Sequence, residues 1–118
     1  MKIGALAEIF EGENRVAMTP DSALQLQKLG HACCIQAGAG AKAGFTDDAY
    51  AAAGVEVLKT AKAVVDAADV LVKVRGPEEK EAKLLRQGQT LISFFWPAQN
   101  EALLKLVAER GATVVAMD

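Results

Sequence analysis

Residues 19–36 read TPDSALQLQKLGHACCIQ, and this stretch decides the fold class. Thr19 or Asp21 can cap a helix, and Pro20 stands in the first turn, where its missing N–H removes no intrahelical bond. The helix carries Leu24, Leu26 and Leu29. Gly30 ends it, because glycine accepts the left-handed backbone of a helix stop. From His31 to Gln36 the pattern changes to a short apolar run, as expected of a buried strand. A helix, a glycine stop and a strand make one repeat of a βαβ chain.

The same unit recurs on both sides. Apolar runs predict strands over Lys2–Leu6, His31–Gln36, Val55–Leu58, Val70–Val74, Thr90–Phe94 and Thr113–Ala116. Thr46 caps a second helix, with Asp47 and Asp48 in its positively polarised first turn, and Gly54 closes it. Further helices are predicted over Thr60–Ala67, Glu78–Arg86 and Asn100–Arg110, the last stopped by Gly111. Alternation of this kind signifies parallel strands, and continuous apolar runs signify strands covered on both faces. The expected architecture is α/β: a doubly wound, mostly parallel open sheet of the Rossmann or flavodoxin type, with helices on both faces. No linker or change of composition divides residues 1–118, which read as a single α/β domain. The alanines of residues 49–53 and 61–68 suit close packing of helix on sheet.

Composition excludes several classes of function. A net charge of −2 leaves no electrostatic footprint for nucleic acid, and 5% aromatic residues provide few stacking platforms. No apolar run approaches the roughly 20 residues of a membrane-spanning helix, so direct membrane insertion is not expected. The N-terminus lacks the features of a secretory signal. Cys33 and Cys34 are adjacent, so on a strand they point to opposite faces and cannot form a relaxed disulfide. They read as reduced thiols of a cytosolic protein. One histidine and two adjacent cysteines assemble no metal site.

Ligands of open α/β sheets bind beyond the carboxyl ends of the strands. In the long polar segment after the first strand, Arg15 is the only cation, among Glu8, Glu11 and Glu13. Its guanidinium suits a carboxylate or phosphate ligand, and equally a salt bridge to a neighbouring glutamate. Lys73 lies among apolar neighbours in VLVKV; it must emerge at the strand end or meet an anion. Arg75 shares its face. In FFWPAQN (residues 94–100), Trp96 and Gln99 can line a pocket, while Pro97 fixes the loop and Asn100 caps the last helix. AGAGAKAG (residues 37–44) fits a relaxed dinucleotide pattern, but the Thr46 cap starts the helix too late for its N-terminus to meet a pyrophosphate. No residue is assigned as catalytic, cofactor-binding or metal-binding. The pocket-lining candidates are Arg15, Lys73, Trp96 and Gln99.

GENRVAMTP, QAGAGAKAGFTDDAYAAAG and DVLVKVRGP occur in the order of the N-terminal domains shared by alanine dehydrogenases and pyridine nucleotide transhydrogenases. LISFFWPAQN and VAERGATVVAMD resemble the transhydrogenase α subunit in particular. The resemblance spans essentially all 118 residues. It implies a parent that transfers hydride from NADH to NADP⁺, coupled to proton movement and held peripherally on the cytoplasmic face of the inner membrane. It implies NAD(H) and NADP(H) as the parent's cofactors. Its partners would be a second Rossmann lobe of the same subunit, an NADP(H)-binding component and membrane components, with room for a homodimer.

In alanine dehydrogenases the resemblance places a substrate-holding arginine and lysine at Arg15 and Lys73, and a catalytic histidine at Trp96. Indole offers only an N–H donor and cannot serve as a general acid–base. Trp96 therefore points away from alanine dehydrogenase chemistry. Ala5-Leu6-Ala7-Glu8 departs from the family's usual Ile-Pro-Lys/Arg-Glu opening, which bears on the loop around Glu8. The chain is expected to stop before the second lobe, so the isolated residues should bind neither cofactor tightly.

Overall fold

The computed structural model describes residues 1–118. Its elements are β1 (Lys2–Ala5), α1 (Pro20–Lys28), β2 (Ala32–Gln36), α2 (Asp47–Ala52), β3 (Glu56–Leu58), α3 (Ala61–Ala67), β4 (Val70–Val72), α4 (Glu79–Ala82), β5 (Thr90–Ser93), α5 (Glu101–Glu109) and β6 (Thr113–Ala116). The six strands form one sheet in the order β3-β2-β1-β4-β5-β6, parallel throughout. This is a doubly wound Rossmann-type sheet, as the sequence implies.

Local chemistry sets the helix ends. Thr19 and Ser22 form a reciprocal capping box, Ser22 N to Thr19 Oγ1 at 3.1 Å and Thr19 N to Ser22 Oγ at 2.9 Å. The Thr46 and Thr60 hydroxyls cap α2 and α3 through the N–H groups of Ala49 and Ala63. Gly30, at φ 95°, stops α1 as expected.

Cys33 and Cys34 belong to different apolar layers, so their side chains do face opposite ways. One layer packs Ala5, Cys33, Ile35, Tyr50 and Val55 beneath α1 and α2; the other packs Cys34, Val64, Leu71 and Leu91 beneath α3, α4 and α5. In the second layer α3 approaches the sheet closely. A Cβ on Gly4 would lie 2.8 Å from Val64 Cγ1 and 2.9 Å from Ala68 Cβ, so only glycine fits there.

Two expectations are corrected. The helix predicted over Glu78–Arg86 is only Glu79–Ala82. Tertiary bonds override local propensity: Arg86 and Gln89 turn back to donate to the carbonyls of Val65 and Ala68 at the end of α3. The second concerns coverage. On β4 and β5 one face is buried, with Leu71 at 0% and Leu91 at 1% exposure, and on β6 the same face, Val114 and Ala116, is half-buried. Toward β5 and β6 the opposite face loses its cover, with Ile92 only half-buried and Val115 46% exposed, whereas Val72 on β4 still packs against the layer beneath α1. Apolarity on both sides of these strands thus does not mean coverage on both sides.

Candidate functional site

Helices leave β1 and β4 toward opposite faces, so the crevice between the carboxyl ends of these neighbouring strands is the topological switch point of the sheet. Two long segments meet there: residues 6–19 after β1 and residues 73–78 after β4. Glu8 ties them together. Its carboxylate accepts the N–H groups of Val74 and Arg75, each at 2.9 Å.

Lys73 lies behind this tie rather than in front of it. Its side chain is 1% exposed, with Nζ 3.2 Å from Glu81 Oε2 and 3.6 Å from Glu8 Oε1. Glu81 holds its other oxygen on the Glu78 N–H, so the carboxylate that completes the start of α4 also neutralises the lysine. Of the two outcomes open to Lys73, the structure shows an internal anion. Its ammonium does not reach the groove at the sheet edge.

Glu13 organises the exposed part. Arg15 chelates it in a fork, Nε to Oε2 at 2.8 Å and Nη2 to Oε1 at 2.7 Å, and the Arg15 N–H adds a third bond. Arg75 Nε donates to the same Oε1 at 2.9 Å. The Arg15 side chain, followed by its backbone N–H and then by Arg75, holds the Glu13 carboxyl well below the usual carboxylate range. Glu13 in turn raises the Arg15 pKa. Two guanidiniums share this one carboxylate, and the Glu8 carboxylate also acts on Arg15. Arg75 also lies 4.3 Å over the Phe10 ring, a cation–π contact.

Beside this cluster is a groove of about 190 Å³ between the loops after β1, β4 and β5, lined by Phe10, Arg75, Pro77, Trp96, Asn100 and Leu103. The Trp96 indole stacks on Phe94, ring centroids 6.1 Å apart. Asp118 accepts the N–H groups of Phe95 and Trp96 at 3.0 and 2.9 Å. Asn100 precedes α5 as expected but makes no capping bond with its side chain; Nδ2 donates to the carbonyls of Phe95 and Trp96 instead.

Among the four pocket-lining candidates, Trp96 lines this groove, and Arg15 is linked to it through Glu13 and Arg75. Lys73 is buried behind it. Gln99 lines an adjoining groove of about 730 Å³ between Pro77–Glu79 and α5, which shares Pro77, Asn100 and Leu103 with the first and is rich in Glu78, Glu79, Glu101 and Glu109. Sequence reasoning did not single out Phe10, Glu13 or Asp118. The Glu13-Asn14-Arg15 spacing was a usable sign of a local fork, whereas Asp118 meets its partners from 22 and 23 residues away.

The glycine-rich segment does not lead directly into a helix. Gly38–Gly44 passes through a single 3₁₀ turn at Ala41–Ala43, and α2 starts only at Asp47. Nor does any group of three His, Cys, Asp or Glu side chains come together to hold a metal ion. No helix is long and apolar enough to cross a membrane.

Residues 4–118 match the family described as alanine dehydrogenase/PNT, N-terminal domain. The chain is 75% identical over all 118 residues to the NAD(P) transhydrogenase subunit alpha of Cereibacter sphaeroides, covering 23% of that protein. It is 38% identical over its full length to the alanine dehydrogenase of Methanococcus maripaludis, covering 32% of it. The solved structure of a transhydrogenase from Sinorhizobium meliloti superposes with a TM-score of 0.93 at 32% identity, over 99% of this chain and 35% of that one. The chain thus spans about a quarter to a third of the length of these relatives.

Proposed function

The chain belongs to the alanine dehydrogenase/PNT N-terminal domain family, and from that premise we propose that it is the first lobe of an NAD(P) transhydrogenase α subunit. The observation that carries this reading is identity: 75% to a transhydrogenase α subunit against 38% to an alanine dehydrogenase, both over the whole chain. The parent reaction would be hydride transfer from NADH to NADP⁺, coupled to proton movement. This lobe would form one wall of the NAD(H) cleft. A second Rossmann lobe, an NADP(H)-binding component and membrane components would complete the enzyme, held at the cytoplasmic face of the membrane.

The residues of this chain do not by themselves fit a tightly bound dinucleotide. The backbone N–H pairs after β4 and β5, the natural donors to a phosphate at this edge, are taken up by Glu8 and Asp118. The glycine segment does not open a helix. What the lobe supplies is a rigid, charge-matched surface: Glu8 and Glu13 lock the loops, and Trp96 and Phe10 give the groove an apolar rim. Trp96 supports direct hydride transfer, because its indole can neither accept nor deliver a proton to a substrate carbonyl.

Calorimetry with NADH tests the reading. The 118-residue chain should bind only weakly and catalyse no transhydrogenation; low-micromolar affinity for this chain alone would overturn it. A second reading, a keto-acid dehydrogenase lobe, draws on the two guanidiniums of Arg15 and Arg75 beside the groove. Pyruvate quenching of Trp96 fluorescence, abolished in Arg15→Ala, would favour that alternative.

A further inference from the structure

Trp96 is the only non-glycine residue with positive φ (φ 48°, ψ 64°). Left-handed backbone is disfavoured for a residue with a Cβ, and a residue before proline ordinarily takes an extended conformation. Pro97 therefore works against the observed geometry. Burial does not hold the residue either, since Trp96 is 43% exposed. Something else must hold it.

All four backbone polar groups of Phe95 and Trp96 are engaged by two side chains, and the Trp96 carbonyl also accepts the Gln99 N–H at 3.0 Å. The Asp118 carboxylate takes both N–H groups, at 3.0 and 2.9 Å. Asn100 Nδ2 donates to both carbonyls, at 2.8 and 3.1 Å. The sheet sets the position of Asp118: Met117 N donates to Ser93 O at 2.9 Å, extending the β5–β6 ladder one step beyond the strands. The carboxylate arrives one residue later, level with the turn. Asn100 arrives from the other side, where the 3₁₀ turn Pro97–Gln99 ends.

We propose that Asp118 and Asn100 are positioning residues for Trp96. Together they clamp its backbone in the left-handed form and so fix the indole against Phe94 at the rim of the groove. The importance of that rim rests on the cleft-wall reading above; the clamp itself does not.

The single tryptophan makes the test direct. In the 118-residue chain, Asp118→Ala and Asn100→Asp should shift Trp96 emission to longer wavelength and raise its quenching by acrylamide. Asp118→Asn keeps one carbonyl acceptor and should fall between them and the wild type. Hydrogen exchange followed by NMR should show protection lost at the Phe95 and Trp96 amides and kept at Leu91 and Ile92, which separates release of the clamp from unfolding. Wild-type emission, quenching and amide protection in Asp118→Ala would overturn the proposal. If that variant does not fold, Asp118→Asn decides by the same measurements. The cleft-wall reading is probed separately by titrating the wild-type chain with millimolar NADH. Amide shifts at Phe10, Arg75 and Trp96 support that reading; their absence sinks it and leaves the clamp standing on the fluorescence.

Discussion

Replacing Lys73 by methionine should destabilise the protein without touching the groove. Methionine keeps an unbranched stem but removes an ammonium that is 1% exposed and stands 3.2 Å from Glu81 and 3.6 Å from Glu8. At an effective dielectric near 20, each contact is worth roughly 5 kcal/mol of gross attraction. Most of that is offset by the cost of taking three ionised groups out of water. What the variant loses is the compensation: two buried carboxylates are left facing each other without a cation. Breaking a buried pair in this way costs about 3–5 kcal/mol. Urea denaturation followed by far-ultraviolet circular dichroism would measure it. Adding Glu81→Gln should recover part of the loss, because the double variant buries one charge fewer, so the two substitutions should be non-additive. The reasoning is refuted if Lys73→Met unfolds within about 1 kcal/mol of wild type, the range of an exposed ion pair. A loss of ligand binding at unchanged stability would instead return Lys73 to the ligand-facing role suggested by its place in the strand.

Other predictions follow from the same geometry. Leu91→Ala should cost about 2–5 kcal/mol and Ile92→Ala distinctly less, because only Leu91 faces a covered side of the sheet; parallel urea melts decide. Burial pushes the Cys34 thiol up to about 11, from an ordinary value of 9.0. The native state therefore holds its proton where the unfolded chain releases it, and stability from this source falls as pH rises from about 9 to about 11. Aromatic disulfide reagents should accordingly label Cys34 at mildly alkaline pH only after denaturant is added. Glu13 carries the opposite sign: its depressed pKa contributes stability above the unfolded value of 4.5, lost as pH falls below it. Glu13→Gln should be less stable at neutral pH and show a shallower acid limb in pH-dependent melts. Trp96→Gly should be at least as stable as Trp96→Ala, against the usual order, because only alanine bears the cost of positive φ.

Much of the fold was legible because the signals are local. Thr19, Thr46 and Thr60 cap helices through bonds to residues three positions away, and Gly30 stops a helix by its own backbone freedom. Strand identity followed from short apolar runs rich in Val, Ile and Leu. Coverage did not, because apolarity at Ile92 and Val115 states what a side chain tolerates and not what lies above it. The length of α4 was missed for a related reason. Nothing near Lys83 ends a helix; the chain turns because Arg86 and Gln89 find the free carbonyls of Val65 and Ala68, 18 to 24 residues earlier.

The site divides along the same line. The fork of Arg15 on Glu13 spans two residues, and the salt-bridge reading of Arg15 anticipated it. The ties from Glu8 to Val74 and Arg75 and from Asp118 to Phe95 and Trp96 link separate strands, and they share one design. In each, a carboxylate just past the end of one strand grips two successive N–H groups just past the end of its neighbour. Parallel strands end together at one edge, so a tie of this kind needs only an acidic residue two or three positions beyond the strand. Its consequence is chemical as well as mechanical. Unpaired amides at that edge would form ready-made anion sites; here both pairs are filled from within, and the remaining N–H donors of Arg15 and Arg75 stand beside them. Those donors, beside an indole fixed by its own backbone, suit a surface against which a ligand held elsewhere is pressed better than one that captures a ligand alone.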